Sequence, residues 1–168
     1  MKKGLLLFLI LMFHSFPVMA DDEAIFSSKE SIKESIFREV GSATSTLALA
    51  IHEITSLDMA QALLKAKQRG VKVRLIVDSK QAKAKSSQVT NLIHQGIPVK
   101  AIGGKGRGVM NHRFVIFDGK KAATGSFDWS EASEKWNDEN ILLLSETEVV
   151  LSYQKEFERL WREERVIR

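Results

Sequence analysis

The chain has 168 residues, no cysteine, and 25 Lys and Arg against 21 Asp and Glu. The missing cysteine excludes a disulfide framework, a thiolate nucleophile and a Cys-ligated zinc site, while the length allows one domain with a proper core. The charge is uneven: thirteen Lys or Arg and two acids, Asp78 and Asp118, lie between Lys67 and Lys121, whereas eleven acids face six basic residues from Ala122 onward. A basic block of this kind is usually a solvated face, and it is also what a surface tracking phosphates looks like.

Residues 1–20 read as a secretory signal peptide. Lys2 and Lys3 form a basic start, GLLLFLILMF is an apolar run too short to span a bilayer comfortably, and VMA before the acidic DDE offers a small-residue cleavage site. An uncleaved anchor helix is the alternative. Cleavage after Ala20 leaves residues 21–168 as a single domain, periplasmic or secreted, with no stable membrane insertion.

EAIFSS is a short strand candidate. In SKESIKESIFREVGSA, Ile32, Ile36, Phe37 and Val40 recur at helical spacing and Gly41 ends the pattern. STLALAIHEI is a continuous apolar run of strand length. SLDMAQALLKAKQRG predicts a helix with Ser56 as N-cap and Gly70 as its stop. VKVRLIVD predicts a strand, SSQVTNLIHQG a second capped helix, and IPVKAI a short strand. GGKGRG is a flexible basic loop that lacks the following helix and Ser/Thr of a phosphate-cradling loop. RFVIFD and KAATG are strands joined by an Asp118-Gly119 turn, SEASEKW is a short helix and ENILLLS a strand. A last helix, from about Thr147 to Arg165, puts Val150, Tyr153, Phe157, Leu160 and Trp161 on one stripe. Apolar strands alternate with helices in the first half, which predicts an α/β fold with a mixed, largely parallel sheet flanked by helices on both faces.

Chemistry is concentrated in GVMNHRFVIFDGKKAATGSFDWS, from Gly108 to Ser130. On an extended strand, Asn111 and Arg113 share one face and His112 and Phe114 the other. Gly125 permits close backbone approach and Ser126 offers a hydroxyl; Asp128 and Glu139 add polar or acid–base capacity. Elsewhere, His94 lies on a polar helix end, and His52 closes an apolar strand, where α/β sheets build sites but where a histidine more often serves only structure. No His or carboxylate pair stands at recognisable ligand spacing, so no metal is expected, and with no nucleotide-binding glycine fingerprint no cofactor is expected either. On residue types alone, an ordinary sheet edge explains the stretch better than an oxyanion site does.

The order and spacing nevertheless resemble the phospholipase D superfamily, in particular its small single-motif bacterial endonucleases. That signature is His-x-Lys, four residues, Asp, six residues, Gly-Ser, then a polar residue two further on. Asp118 and Gly125-Ser126 fit both spacings. TLALAIHEITSLDMAQALLKAKQRGVKVRLIVD looks like the family's strand–helix–strand half, and GSFDWSEASEKWNDEN like its post-motif helix and acidic residue. The signature His falls on Asn111, the Lys on Arg113, and the polar position, usually Asn, on Asp128. Glu139 matches the acid that orients the catalytic His, and Asp118 the largely architectural Asp.

The resemblance implies a metal-independent phosphodiesterase whose site needs two motifs, which a single-motif chain supplies by homodimerising. One His attacks phosphorus; the other protonates the leaving oxygen and then activates water. An Asn amide is neither a useful nucleophile nor a general acid near neutral pH, and in a symmetric dimer both roles are lost together. Arg113 still binds phosphate bidentately, Asp128 opposes phosphate unless it is paired, and His112 reaches the site only through a bulge or a twisted strand start. The site is therefore expected at Asn111, Arg113, Ser126, Asp128 and Glu139, with His112 as an alternative catalytic residue and Lys105, Arg107 and Gly125 contacting substrate. The basic block favours nucleic acid, DNA or RNA. A catalytically silent nucleic-acid-binding homologue, using Arg113, Lys105, Arg107 and the Lys80–Lys85 loop, and a lipid phosphodiesterase are the alternatives.

Overall fold

The computed structural model describes residues 22–163; the expected signal peptide, and the predicted end of the last helix beyond Glu163, lie outside the described residues. The elements are β1 (Glu23–Phe26), α1 (Ile32–Ser42), β2 (Thr46–Ile51), α2 (Leu57–Gln68), β3 (Lys72–Asp78), a 3-10 turn (Gln81–Lys83), α3 (Val89–His94), β4 (Val99–Ile102), β5 (Arg113–Phe117), β6 (Lys121–Gly125), α4 (Glu131–Lys135), β7 (Asn140–Leu144) and α5 (Thr147–Arg162).

All seven strands form one sheet, ordered β1-β7-β6-β5-β2-β3-β4. The α/β class and mixed sheet are as the sequence predicts. The balance differs: parallel pairing is confined to β2–β3 and β3–β4, where α2 and α3 cross over, and the other four pairings are antiparallel. The expectation of a largely parallel sheet is corrected accordingly. After residue 108 the strands no longer alternate with long helices, and the tight turn between β5 and β6 forces them antiparallel.

Helices cover both faces. Ile32, Ile36 and Val40 of α1, Met59 and Leu63 of α2, and Val89 and Leu92 of α3 pack with Leu47, Leu49 and Ile51 of β2 on one side. On the other, Val150, Phe157 and Leu160 of α5 pack with Ala48, Ala50 and Ile76. Strand β2 is thus buried on both faces, which is why its sequence is an unbroken apolar run. Arg74 fixes α5 to the sheet: its guanidinium lies 4.8 Å from the Phe157 ring centre and 5.3 Å from that of Trp161, and pairs with Glu158 at 2.5 Å.

Local signals set most boundaries. The Ser56 hydroxyl accepts from the Met59 N–H at the start of α2, and Gly70 follows its end with φ of 93°. Two boundaries differ from expectation. Helix α1 runs through Gly41 to Ser42, and α3 lacks a side-chain cap on its N-cap residue Gln88. The β5–β6 turn uses positive φ at Asp118 (53°) and Gly119 (67°). The Asp118 carboxylate accepts the N–H groups of Thr44, Ser45 and Thr46 and the hydroxyls of Thr44 and Ser45, at 2.8–3.0 Å. Burial opposes its charge, but these donors outweigh burial and hold the carboxyl well below the usual carboxylate range. The turn is thereby tied to the start of β2.

Candidate phosphodiester site at one sheet edge

The register brings the C-terminal ends of β2, β3, β4 and β6 and the N-terminal ends of β5 and β7 to one edge of the sheet. Arg113, the first residue of β5, sits opposite Ile51 at the end of β2. Its Nε donates to Asp128 Oδ2 at 2.6 Å and its Nη1 to Asn111 Oδ1 at 3.0 Å. Asp128 also accepts the Glu53 N–H at 3.4 Å. Its side chain is 9% exposed against 24% for Arg113, and burial pushes its carboxyl above the ordinary range although Arg113 and the Glu53 N–H pull the other way.

His112 points elsewhere. Its Nε2 lies 3.3 Å from Glu156 Oε1 on α5, and its ring meets Phe114 edge-on at 5.5 Å. The strand alternation predicted from sequence therefore holds, and the structure sets His112 on the α5 face, apart from the row Asn111–Arg113–Asp128.

A second cluster lies beside the first. The Ser126 hydroxyl donates to Glu139 Oε2 and accepts the Asn140 N–H at 3.1 Å. Glu139 Oε1 accepts from the Ser133 hydroxyl and the Asn137 amide, both at 3.0 Å. Glu139, matched in sequence to an acid that orients a histidine, is thus bonded to Ser126, Ser133 and Asn137. Ser133 links the clusters, because its oxygen also accepts the Asp128 N–H at 3.2 Å. Sequence reasoning passed over Ser133 and Asn137; the visible signal was Ser130-x-x-Ser133 at the start of α4, where Ser130 caps the Ser133 N–H. Gly125 is bare for a reason not foreseen. A Cβ there would stand 2.1 Å from the Asn140 carbonyl oxygen, so the close approach expected of a phosphate is made by β7.

Two basic loops rim this edge. Asp78, at the end of β3, is 1% exposed. Its Oδ1 accepts the Lys80 and Gln81 N–H groups at 2.9 and 3.2 Å, and its Oδ2 accepts the Met110 N–H at 3.0 Å. One carboxylate therefore anchors both the segment carrying Lys80, Lys83 and Lys85 and the end of the loop carrying Lys105 and Arg107. That second loop is closed by Gly104 N–H to Gly108 O and Gly108 N–H to Lys105 O, each 3.0 Å, leaving Lys105 and Arg107 exposed. His52 joins the first loop to the site. Its Nδ1 lies 3.1 Å from the Met110 carbonyl oxygen, which can only accept, so Nδ1 carries the hydrogen and Nε2 accepts from the Gln81 amide at 3.3 Å. Among the described residues, no three His, Cys, Asp or Glu side chains gather as a metal-binding group.

This fold, with the row and the Ser126–Glu139 cluster at one edge, is of the phospholipase D type. Residues 36–161 match the family model described as cardiolipin synthase, PLD-like domain, and the chain belongs to that family, within the phospholipase D superfamily. It is 39% identical over 118 residues to the mitochondrial cardiolipin hydrolase of Xenopus laevis, covering 70% of this chain and 55% of that protein. The chain spans about half the length of the curated relatives it matches. Among solved structures, the fold is similar to the phospholipase D family member Nuc from Salmonella typhimurium, with a TM-score of 0.79 at 24% identity over 89% of this chain and 99% of that one. It is also similar to NucT from Helicobacter pylori, with a TM-score of 0.75 at 26% identity over 83% and 94%.

Proposed function

We propose that this phospholipase-D-type domain is nuclease-like, engages nucleic acid phosphodiesters through a site completed by a second copy of the chain, and holds them without efficient cleavage. The observation that carries this reading is the row Asn111–Arg113–Asp128, bonded at 3.0 and 2.6 Å, beside two basic loops hinged on Asp78. The remaining N–H groups of Arg113 are available to a phosphate oxygen. Its charge is matched by Asp128, so most attraction for a polyanion comes from Lys80, Lys83, Lys85, Lys105 and Arg107. Asn111 supplies neither nucleophile nor acid. Residues 1–20 support export to the periplasm or the medium as part of the same proposal.

A lipid phosphodiester is the second reading, favoured by the similarity to mitochondrial cardiolipin hydrolases. The deciding experiment incubates purified protein with plasmid DNA, single-stranded RNA, and vesicles of cardiolipin or phosphatidylcholine, with and without chelator. Retention of intact nucleic acid, with vesicles left unbound and unhydrolysed, supports the proposal. Lipid hydrolysis without nucleic-acid binding overturns it. Sedimentation at micromolar concentration is expected to show a dimer with the Asn111–Ser126 region at its two-fold axis; a monomer removes the shared site.

A further inference from the structure

Ser126 is exposed, and its hydroxyl donates to Glu139, a residue only 8% exposed. That carboxylate is held from behind. Its Oε1 accepts from the Ser133 hydroxyl and the Asn137 amide, both at 3.0 Å, and the Glu139 N–H donates to the Ser27 hydroxyl at 2.9 Å. The serine is fixed as firmly. Its N–H donates to the Asn140 carbonyl oxygen and its Oγ accepts the Asn140 N–H, each at 3.1 Å. An accessible hydroxyl bonded to a base that third groups orient is the arrangement by which serine nucleophiles are recognised. The Asn140 N–H adds a donor on the oxygen where negative charge gathers as the proton leaves, and a hydrogen bond to a charged form favours it. In the β5–β6 ladder Phe114 pairs with Thr124, and one step further along Arg113 stands beside Gly125, the residue before Ser126. The cation suited to a phosphate and the hydroxyl therefore come from neighbouring positions of the sheet edge.

We propose that Ser126 is a nucleophile with Glu139 as its base, and that the site captures activated phosphodiesters as a covalent ester on Ser126. In this step Ser126 Oγ bonds to phosphorus while the P–O bond to the leaving group breaks. The hydroxyl proton passes to Glu139 Oε2, and the leaving oxygen keeps the bonding pair. The step therefore suits an aryloxide, which departs without a proton. Asn111 offers no acid for an alkoxide and no base for water, so an ordinary strand is held rather than cut, and a captured aryl ester persists. The inference goes beyond the nucleic-acid reading, since it needs a phosphodiester at this edge and not a polynucleotide.

The test incubates the protein with bis(4-nitrophenyl) phosphate in chelator. Release of 4-nitrophenolate is followed by absorbance, and the protein by intact mass and peptide mapping. A burst of about one 4-nitrophenolate per chain is expected, without turnover, together with an adduct on the peptide that carries Ser126. Ser126→Ala abolishes both burst and adduct. Glu139→Gln, which keeps the shape of the side chain, slows the burst at least about 100-fold, the lower range for a general base. No burst from the unchanged protein, an adduct mapped elsewhere, or a burst of undiminished rate in Glu139→Gln overturns the proposal and leaves Ser126 and Glu139 as a structural clasp. Continued turnover means that water is activated at the site, and overturns the persistence of the ester. Capture by a protein that retains neither plasmid DNA nor single-stranded RNA supports this proposal and removes the nucleic-acid reading. Retained nucleic acid with no adduct does the reverse.

Discussion

Arg113 and Asp128 are joined Nε to Oδ2 at 2.6 Å, where the phospholipase D signature has Lys and, usually, Asn. The two departures form one chemical unit. Either charge alone would be a poorly compensated ion in a largely enclosed place, and removing one partner of such a pair is costly. Together they neutralise each other, and the guanidinium offers through Nε an edge that an ammonium lacks. On the alignment that the sequence resemblance implies, this pair and Asn111 are the departures from the signature.

Restoring the histidine alone is therefore expected to achieve little. Asn111→His should stay near background, whereas Asn111→His with Asp128→Asn should cleave a simple phosphodiester in chelator at least about 100-fold faster, the lower range of general acid–base assistance. Equal rates for the single and double variants would show that the ion pair does not hold the site shut.

The same pair gives a pH dependence. Burial raises the Asp128 carboxyl, so it takes up a proton at less acidic pH than a free aspartate. Protonation releases Arg113 toward phosphate, and affinity for nucleic acid should climb as pH falls through that range. Asp128→Asn should bind more tightly at neutral pH and lack this part of the climb. Parallel titration curves for the two proteins would contradict the link.

Lys105 and Arg107 are exposed and flank the row, so their contribution should be purely electrostatic. Replacing both with alanine is expected to make the slope of log affinity against log salt shallower by about 1.4 on single strands, since each phosphate contact accounts for about 0.7. An unaltered slope places the loop off the path of the strand.

Asp118 should act on stability. Its carboxyl titrates lower in the fold than in the unfolded chain. Its contribution is thus complete above the unfolded value near pH 4 and drains away as pH falls from there toward the folded value. Asp118→Asn is expected to cost about 2 kcal/mol at pH 7, within the range for hydrogen bonds to a charged group. The gap in urea unfolding between the two proteins should narrow below about pH 4; a gap independent of pH would mean that the charge contributes nothing.

Gly125→Ala should lower stability by about 3 kcal/mol or more, because its Cβ would fall 2.1 Å from the backbone oxygen of Asn140 and strand β7 would have to move. A melting temperature within a few degrees of the unchanged protein would show that β7 yields easily.

What the sequence made legible was mostly local. Ser56 and Gly70 bracket α2, the Asp118-Gly119 turn stands where it was read, and the opposite facing of His112 and Arg113 follows from strand alternation. What it hid depends on partners far along the chain. The reason for a glycine at 125 is the carbonyl of Asn140. Glu139 finds Ser126 thirteen residues back, and no periodicity announces that meeting. Gly41 reads as a stop, yet α1 continues past it with Ile36 and Val40 packed beneath. The antiparallel majority arises from pairings such as β1 with β7, which bring together opposite ends of the described chain.

The buried Asp78 has a consequence for the cations it does not touch. One of its oxygens holds the backbone before Lys83 and Lys85, and the other holds the backbone after Lys105 and Arg107. Two separate stretches of positive charge thus share a single pivot, and neither can swing without tugging the other. On the nucleic-acid reading, a polyanion would meet them as a pair of jaws on a common pin, set by an acid buried beneath both.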